Sequence, residues 1–360
     1  MIYFLLVGAH SIVGAELSAV PVVDLSHDET ASSLLVDEAL RSYGFFYVRN
    51  HGVPAALVEA MFAQSKAMFS LPVEVKRSLA FVPHKDIGYL ADQALDEDSG
   101  AQDVKEGFML TNNAVFRRHF AVDPSDPLAG SDNLWPPLPA YEPVMRDYAA
   151  HFYALNHRLN ALLFRALGLK GGNPSLARQP FFVLKQLRYA PSSKLGAGAH
   201  ADWGTLTLLV TDGVPGLEIQ RDGEWIPVPP KEGCVIVNAG DQITLFTAGR
   251  YKSANHRVRT VSPKERYSTA FFAYFDYHAL VQPLNFDDNF STPHAPSQGI
   301  TTADYFALKL CESVGMEKAS CLAPSTAAAA AAAATVGVVQ ADGAVVISQD
   351  ARGDQTDGTS

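Results

Sequence analysis

Cysteine is scarce: there are 3 in 360 residues, at Cys234, Cys311 and Cys321. An odd count without patterned spacing argues against a disulfide framework and against a cysteine zinc site. Cys234 falls in the apolar run "GCVIVN", which predicts a buried, inert thiol. Positive charge is also short. Against 38 Asp and Glu stand 28 Lys and Arg, a formal net charge of −10, so the basic face that a nucleic-acid partner demands is not expected. No basic residue precedes Arg41. The apolar start "MIYFLLVGAHSIVGAELSA" therefore lacks the positive n-region of a secretory signal, and His10 and Glu16 interrupt it before it could span a bilayer. The expected location is the cytoplasm, with a targeting role for residues 1–20 left open. There is no G-x-G-x-x-G after a strand, no P-loop and no internal repeat, so dinucleotide-binding, nucleotide-hydrolysing and solenoid architectures fall away.

The composition that remains is that of a globular protein, 48% hydrophobic and 18% charged, with ample material for a buried core. "PVVDLS" (21–26) reads as an edge strand. Residues 31–43 have helical spacing through Leu34, Leu35 and Leu40, and "GFFYVRNHGVP" (44–54) is a strand closed by Gly52 and Pro54. Residues 55–70 form an amphipathic helix with Leu57, Met61, Met68 and Phe69 as core candidates. From about Pro83 to Pro139, Gly and Pro punctuate the chain and the reading is mostly loop with short elements.

Tyr148, Phe152, Leu155, Leu159, Leu162, Leu163 and Ala166 then step by three and four along one long helix, ended by Gly168 and Gly171–Gly172. From Phe181 to Tyr277 the period becomes two. "FVLKQLRY", "TLTLLV", "LEIQ", "EWIPV", "CVIVN", "ITLF", "HRVRTV" and "STAFFAYF" are short strands separated by glycine turns, the pattern of a sandwich or jelly roll. A last helix is expected over Thr301–Gly315, with Tyr305, Leu308 and Cys311 or Glu312 on one face. The alanine-rich stretch and polar end over 322–360 read as a low-complexity tail. The expected organisation is an apolar extension (1–20), an N-terminal α/β region (21–140), a long helix with a jelly-roll core and a C-terminal helix (141–316), and the tail.

Within that β region lies "GAHADWGTLTLLV" (198–210). Residues two apart on a strand share a face, so His200 and Asp202 can aim an imidazole and a carboxylate at one point. A similar triplet, His84–Lys85–Asp86, has no strand pattern behind it and reads as surface. His256, at the start of "HRVRTV", supplies a third ligand. Two histidines and one carboxylate make the facial triad of non-haem Fe(II) oxygenases, which leaves coordination positions open. Downstream, Arg266 and Ser268 of "ERYSTAFF" share a strand face, and a guanidinium beside a hydroxyl suits a distal carboxylate. Ala270, Phe272 and Tyr274 continue that face as a cavity wall. Zinc also accepts two histidines and a carboxylate, but a zinc hydrolase leaves the Arg-x-Ser pair without a purpose.

These residues resemble the 2-oxoglutarate- and Fe(II)-dependent dioxygenases, in the branch similar to isopenicillin N synthase and the plant-type hydroxylases, over roughly 21–316. The resemblance rests on His200, Asp202, Thr205, Thr207, Gly216–Leu217 and Trp225 in one block. It rests also on Asn238, Gly240, Asp241, Gly249, Tyr251, Ser253, His256, Arg257 and Val258 in a second, and on "ERYSTAFF", "PVVDLS", "GFFYVRNHGVP", "IGYL" and "DVKEGFML". It implies a mainly β fold with flanking helices around a double-stranded β-helix (jelly roll, cupin-like) core. It implies Fe(II) held by His200, Asp202 and His256, and 2-oxoglutarate whose distal carboxylate lies on Arg266 and Ser268. O2 is then the oxidant, ascorbate a candidate reductant, and the products succinate, CO2 and a hydroxylated or desaturated small metabolite. One stretch departs from the plant-type "NYYP": here "RYAP" puts Ala190 before Pro191, with Tyr189 one place earlier as the candidate cosubstrate contact and Arg188 a weaker one.

Three readings stay open beside the first. They are an oxidase or cyclase of this fold that uses no 2-oxoglutarate, a non-catalytic small-molecule sensor, and the zinc hydrolase. The expected partner is a small-molecule substrate, with neither nucleic acid nor membrane, and the expected state is a monomer.

Overall fold

The computed structural model describes residues 20–82, 86–91, 105–112, 133–169, 176, 180–191, 195–260, 262–284 and 299–313. The chain falls into two units, Met1–Phe306 and Ala307–Ser360, the second described only over the end of a helix. The apolar start, Gly171–Gly172, the alanine-rich tail and most of the 83–120 stretch lie outside the described residues.

The N-terminal part runs β1 (Val22–Asp24), α1 (Glu29–Ser42), β2 (Phe45–Arg49), α2 (Ala55–Phe69), α3 (Val73–Ser78), β3 (Gly88–Leu90) and β4 (Lys105–Thr111). Asp28 starts α1, its carboxylate accepting from the N–H groups of Thr30 and Ala31 at 2.9 and 3.0 Å. The buried face of α1 is Ser32, Ser33, Val36, Ala39 and Leu40. Leu34 is 64% exposed, so the leucine spacing marked the helix but not its inner side. In α2 the four core candidates are all buried. After Pro83 the described residues hold two of the short elements expected there, β3 and β4, and β4 pairs with a later strand over its whole length. Gly107 contributes no side chain in its middle, which breaks the apolar alternation that marks a strand.

The long helix α4 (Tyr141–Ala166) carries its predicted stripe inward, Tyr148 stacking on Phe152 at 4.3 Å. There follow β5 (Pro180–Tyr189), β6 (Leu195–His200), β7 (Leu206–Thr211), β8 (Leu217–Arg221), β9 (Glu224–Pro227), β10 (Cys234–Ala239), α5 (Asp241–Phe246), β11 (His256–Arg259), β12 (Arg266–Asp276), β13 (Leu280–Val281), β14 (Ile300–Thr301) and α6 (Thr302–Ser313). "ITLF" is helical, not the strand expected: Ile243 and Phe246 are buried one turn apart. The first N–H groups of this helix donate to a loop, Asp241 to the Asp202 carbonyl (2.8 Å) and Gln242 to those of Trp203 and Gly204. Cys234 is half-buried rather than buried, with no disulfide partner.

The strands form an eight-stranded sheet ordered β1-β2-β10-β7-β12-β5-β4-β3, a four-stranded sheet ordered β6-β11-β8-β9 and a two-stranded sheet of β13 and β14. From β5 to β12 the chain passes from one sheet to the other and back again, which is the winding of a double-stranded β-helix. Strand alternation then sorts the side chains. Phe46, Val48, Leu206, Leu208, Val235, Val237, Tyr267, Phe271 and Phe275 face α1, α2 and α4 and share one hydrophobic core with them. The opposite phase of the same strands holds Thr207, Asn238, Arg266, Ser268 and Tyr189. The apolar core therefore lies on one side of the large sheet and the polar chemistry on the other. Among the described residues, no helix is long and apolar enough to cross a membrane.

Candidate metal centre

His200 and Asp202 do not share a strand. His200 ends β6 of the small sheet, and Asp202 sits in the loop that carries the chain into β7 of the large one. They meet because this loop is held from both sides. The N–H of Thr205 donates to the Ala273 carbonyl at 2.7 Å, and the start of α5 holds the Asp202, Trp203 and Gly204 carbonyls. Close approach requires glycine here: a Cβ on Gly204 would lie 2.1 Å from the Ala273 oxygen, and one on Gly240 would lie 2.3 Å from that of Gly204.

His256 opens β11 and is the register partner of His200, so adjacent strands carry the two rings side by side, their centres 4.3 Å apart. One ligand atom from each of His200, Asp202 and His256 lies within 4.8 Å of the others. The atoms facing one another are Asp202 Oδ1 and the two Nε2 nitrogens, at 3.9 Å for His200 and 3.6 Å for His256.

The far sides of these groups are already engaged. His200 Nδ1 lies 2.8 Å from the Gly198 carbonyl and His256 Nδ1 lies 3.1 Å from that of Ala254. A carbonyl can only accept, so each Nδ1 carries a proton, and in a neutral ring that leaves Nε2 with its lone pair toward the common point. Asp202 Oδ2 accepts from Thr207 Oγ1 at 2.6 Å and from Asn238 Nδ2 at 2.7 Å. The Phe45 ring meets the His256 ring edge to face, centres 5.5 Å apart.

Protonation agrees with ligation. Burial acts to raise the Asp202 carboxyl, but the His256 and His200 rings and the Thr207 and Asn238 hydrogen bonds outweigh it and hold the group below its ordinary range. Crowding by protein, then the nearby His256 ring, pushes the His200 imidazole down. A carboxylate and neutral imidazoles are the forms that bind a metal. The donor set of two nitrogens and one oxygen on one side fits Fe(II).

The second group of candidates also converges. Arg266 and Ser268 are 2% and 1% exposed, with Arg266 Nη1 donating to Ser268 Oγ at 3.2 Å. Tyr189 is the cross-strand partner of Arg266, and the guanidinium lies 5.0 Å from its ring centre. Arg266 Nε is buried with no hydrogen-bond partner, and no carboxylate among the described residues pairs with this guanidinium. A buried cation of this kind is costly unless an anion joins it, so the site fits a carboxylate-bearing ligand. Arg188 points elsewhere, into ion pairs with Glu265 and Glu106.

Further along the same face, Tyr274 packs on Phe181 and Phe306, centres 4.9 and 5.3 Å apart. Phe272 is partly buried. Asp86 is not on the surface as expected: it is 7% exposed, while His84 and Lys85 lie outside the described residues. Burial pushes the Asp86 carboxyl up from 3.8 to about 6, with Lys185 opposing. A raised folded-state pKa contributes stability at low pH that is lost as pH rises through that value. Asp86→Asn is therefore expected to stabilise the protein at about pH 7.5, by on the order of 2 kcal/mol, and to change little near pH 4. Thermal melts at the two pH values check this; an equal effect at both would contradict it.

Thr207 and Asn238 were present in the sequence only as features of a resemblance, without a role. Their signal is a polar residue at the inward phase of otherwise apolar strands, "TLTLLV" and "CVIVN".

Comparison with known proteins agrees with this geometry. Residues 180–274 match the 2OG-Fe(II) oxygenase superfamily, and residues 20–138 match the N-terminal region described as non-haem dioxygenase in morphine synthesis. The chain is 29% identical over 306 residues to homoarginine-6-hydroxylase 2-ODD-233 of Oryza sativa subsp. japonica, covering 76% of this chain and 91% of that protein. It is 32% identical over 295 residues to clavatol oxidase claD of Penicillium crustosum, covering 73% and 86%. The crystal structure of JOX2 in complex with 2OG, Fe and JA superposes with a TM-score of 0.65 at 28% identity, covering 80% of this chain and 84% of that one.

Proposed function

The chain belongs to the 2-oxoglutarate- and Fe(II)-dependent oxygenase superfamily, and from that premise we infer that it hydroxylates or desaturates a small organic metabolite, releasing succinate and CO2. We assign His200, Asp202 and His256 as the iron ligands, and Arg266, Ser268 and Tyr189 as the seat of 2-oxoglutarate. The observation that carries the assignment is the convergence of three ligand atoms whose opposite sides are all hydrogen-bonded. Iron with its cosubstrate supplies the one-electron chemistry by which O2 attacks a C–H bond.

The chain's own part is positional. The Gly198 and Ala254 carbonyls fix the tautomer of each imidazole. Arg266 and Ser268 give a carboxylate one fixed place, and Tyr189 flanks them. Tyr274, Phe181 and Phe306 pack together further along the inner face and would give the reacting bond an apolar surround on that side. Relatives named for homoarginine 6-hydroxylation and clavatol oxidation support a small metabolite as substrate class. The net charge of −10 speaks against a nucleic-acid partner. Sparse cysteine suits the cytoplasm, and we take the working unit to be the monomer.

The test is turnover with a metabolite library under air, with Fe(II), ascorbate and 2-oxoglutarate. Succinate formed in step with substrate loss is the expected result. Oxidised product without succinate would replace this reading by the oxidase that needs no 2-oxoglutarate.

A further inference from the structure

We propose that Asp86 and Lys185 bind the substrate, and that this substrate carries both a protonated nitrogen and a carboxylate, as an amino acid does. This rests on the oxygenase reading of the site and narrows its substrate class.

Asp86 is 7% exposed, yet among the described residues no hydrogen bond reaches its carboxylate, and Lys185 is the one charge that acts on it. A buried carboxylate left in that condition is costly. The turn it occupies does not call for the charge. Its φ of 55° lies in the left-handed region that uncharged asparagine or glycine also adopts. The backbone holds the residue in place. Its N–H donates to the Val82 carbonyl at 3.0 Å, the Val82 N–H to that of Ile87 at 2.9 Å, and the Phe81 N–H to that of Tyr89 at 2.9 Å. An acid fixed and buried without a donor in its own chain is matched by one that a ligand brings.

Its neighbours place it on the face that holds the metal centre. Burial first, then the Asp86 charge, raises the Tyr274 hydroxyl, and Asp202 acts on the same group, so one tyrosine senses both carboxylates. Lys185 on β5 is the cross-strand partner of Ala270, which stands on β12 between Ser268 of the cosubstrate seat and Phe272. Paired residues share a face, so the lysine leaves its strand toward the inner side. Its other partner is Met109 on β4, which pairs in turn with Gly88, just after Asp86 in the chain. The stem passes beside Gly107, where a Cβ would lie 3.5 Å from Lys185 Cε. The wall thus sets one negative and one positive group beside the rings of Tyr274, Phe181 and Phe306. A substrate with a cation alone meets Lys185 as a like charge, and one with an anion alone meets Asp86 so; a molecule with both signs is repelled by neither.

The experiment is calorimetric titration, under argon, of protein loaded with Fe(II) and 2-oxoglutarate. The probes are the common protein amino acids. Each one that binds is compared with the amine left by removing its carboxylate and with the acid left by removing its amino group. At least one amino acid is expected to bind, with its amine and its acid each about tenfold weaker or more. Asp86→Asn and Lys185→Met are each expected to weaken that amino acid about 30-fold or more, the effect of removing one partner of a buried charge pair. Affinities for Fe(II) and 2-oxoglutarate should stay within about threefold of wild type in both variants.

Asp86→Asn fits the same turn and removes a costly buried charge, so it should melt no lower than wild type at about pH 7.5, and a loss of binding there is not a loss of fold. Three results overturn the proposal: no amino acid binds the loaded wild type, the bare amine or acid binds as tightly as its amino acid, or the amino acid binds both variants as it binds the wild type. Failure of the wild type to take up Fe(II) and 2-oxoglutarate would instead overturn the oxygenase reading beneath it.

Discussion

Asp202→Ala is expected to lower Fe(II) affinity by about a thousandfold or more and to abolish turnover with it. Asp202 Oδ1 is the negative group at the meeting point of the three side chains, and an imidazole ligates a metal only in its uncharged form. One pair of unit charges at about 4 Å contributes about 4 kcal/mol at an effective dielectric of 20, or roughly a factor of a thousand in binding. A dication at ligand distance can only exceed that. The replacement also leaves Thr207 and Asn238 without their acceptor, so compensation by a neighbour would require the loop between β6 and β7 to move. That loop is pinned by Ala273 and by the start of α5. Equilibrium dialysis under argon reads the affinity directly, and a loss smaller than tenfold would mean the metal is held elsewhere.

Arg266→Met should separate the two halves of the site. Removing the guanidinium from a buried carboxylate partner costs about 2–5 kcal/mol, so the dissociation constant for 2-oxoglutarate is expected to rise from about 30-fold to several thousandfold while Fe(II) affinity stays near wild type. The sign of the stability change differs from that of an ordinary core truncation. In the absence of ligand Arg266 is a buried cation whose Nε has no partner, and replacing such a charge by an apolar side chain of similar length is neutral or stabilising. The metal-free variant should therefore melt no lower than wild type. Added 2-oxoglutarate should raise the melting temperature of the wild type with metal and not that of the variant. An unchanged cosubstrate affinity would remove Arg266 from the clamp.

How much of this was legible in the residues alone depends on the kind of signal. The grouping of His200, Asp202 and His256 was, because a histidine and an acid ahead of an apolar strand, a distant second histidine and an Arg-x-Ser pair have no folding purpose together. The His200–Asp202 pair converges by a different route from the one its spacing suggests. Strand alternation did not bring them to one point; a loop between two sheets did, and its geometry depends on Gly204 and Gly240 meeting parts of the chain far off in sequence. "ITLF" could not be told from a strand because four apolar residues fit either period. What decides for the helix is the set of loop carbonyls awaiting its first N–H groups.

Strand β4 was hidden by Gly107 and by flanking turn residues, and its pairing with β5 is long-range. Asp86 is buried where its loop sequence suggests surface, because burial is set by tertiary packing, here near Lys185 and Tyr274. Thr207 and Asn238 were visible as polar interruptions, yet only the register of β7 against β10 shows that they serve one oxygen atom.

The measurement that bears most directly on the account is an anaerobic titration of the metal-free wild type with Fe(II) and then 2-oxoglutarate, followed by visible absorption. Iron and cosubstrate bound together at His200, Asp202 and His256 should give a charge-transfer band that saturates at one equivalent and is lost in Asp202→Ala. A band of equal strength in that variant, or none in the wild type at saturating Fe(II) and 2-oxoglutarate, would contradict the claim that these three side chains form the iron centre.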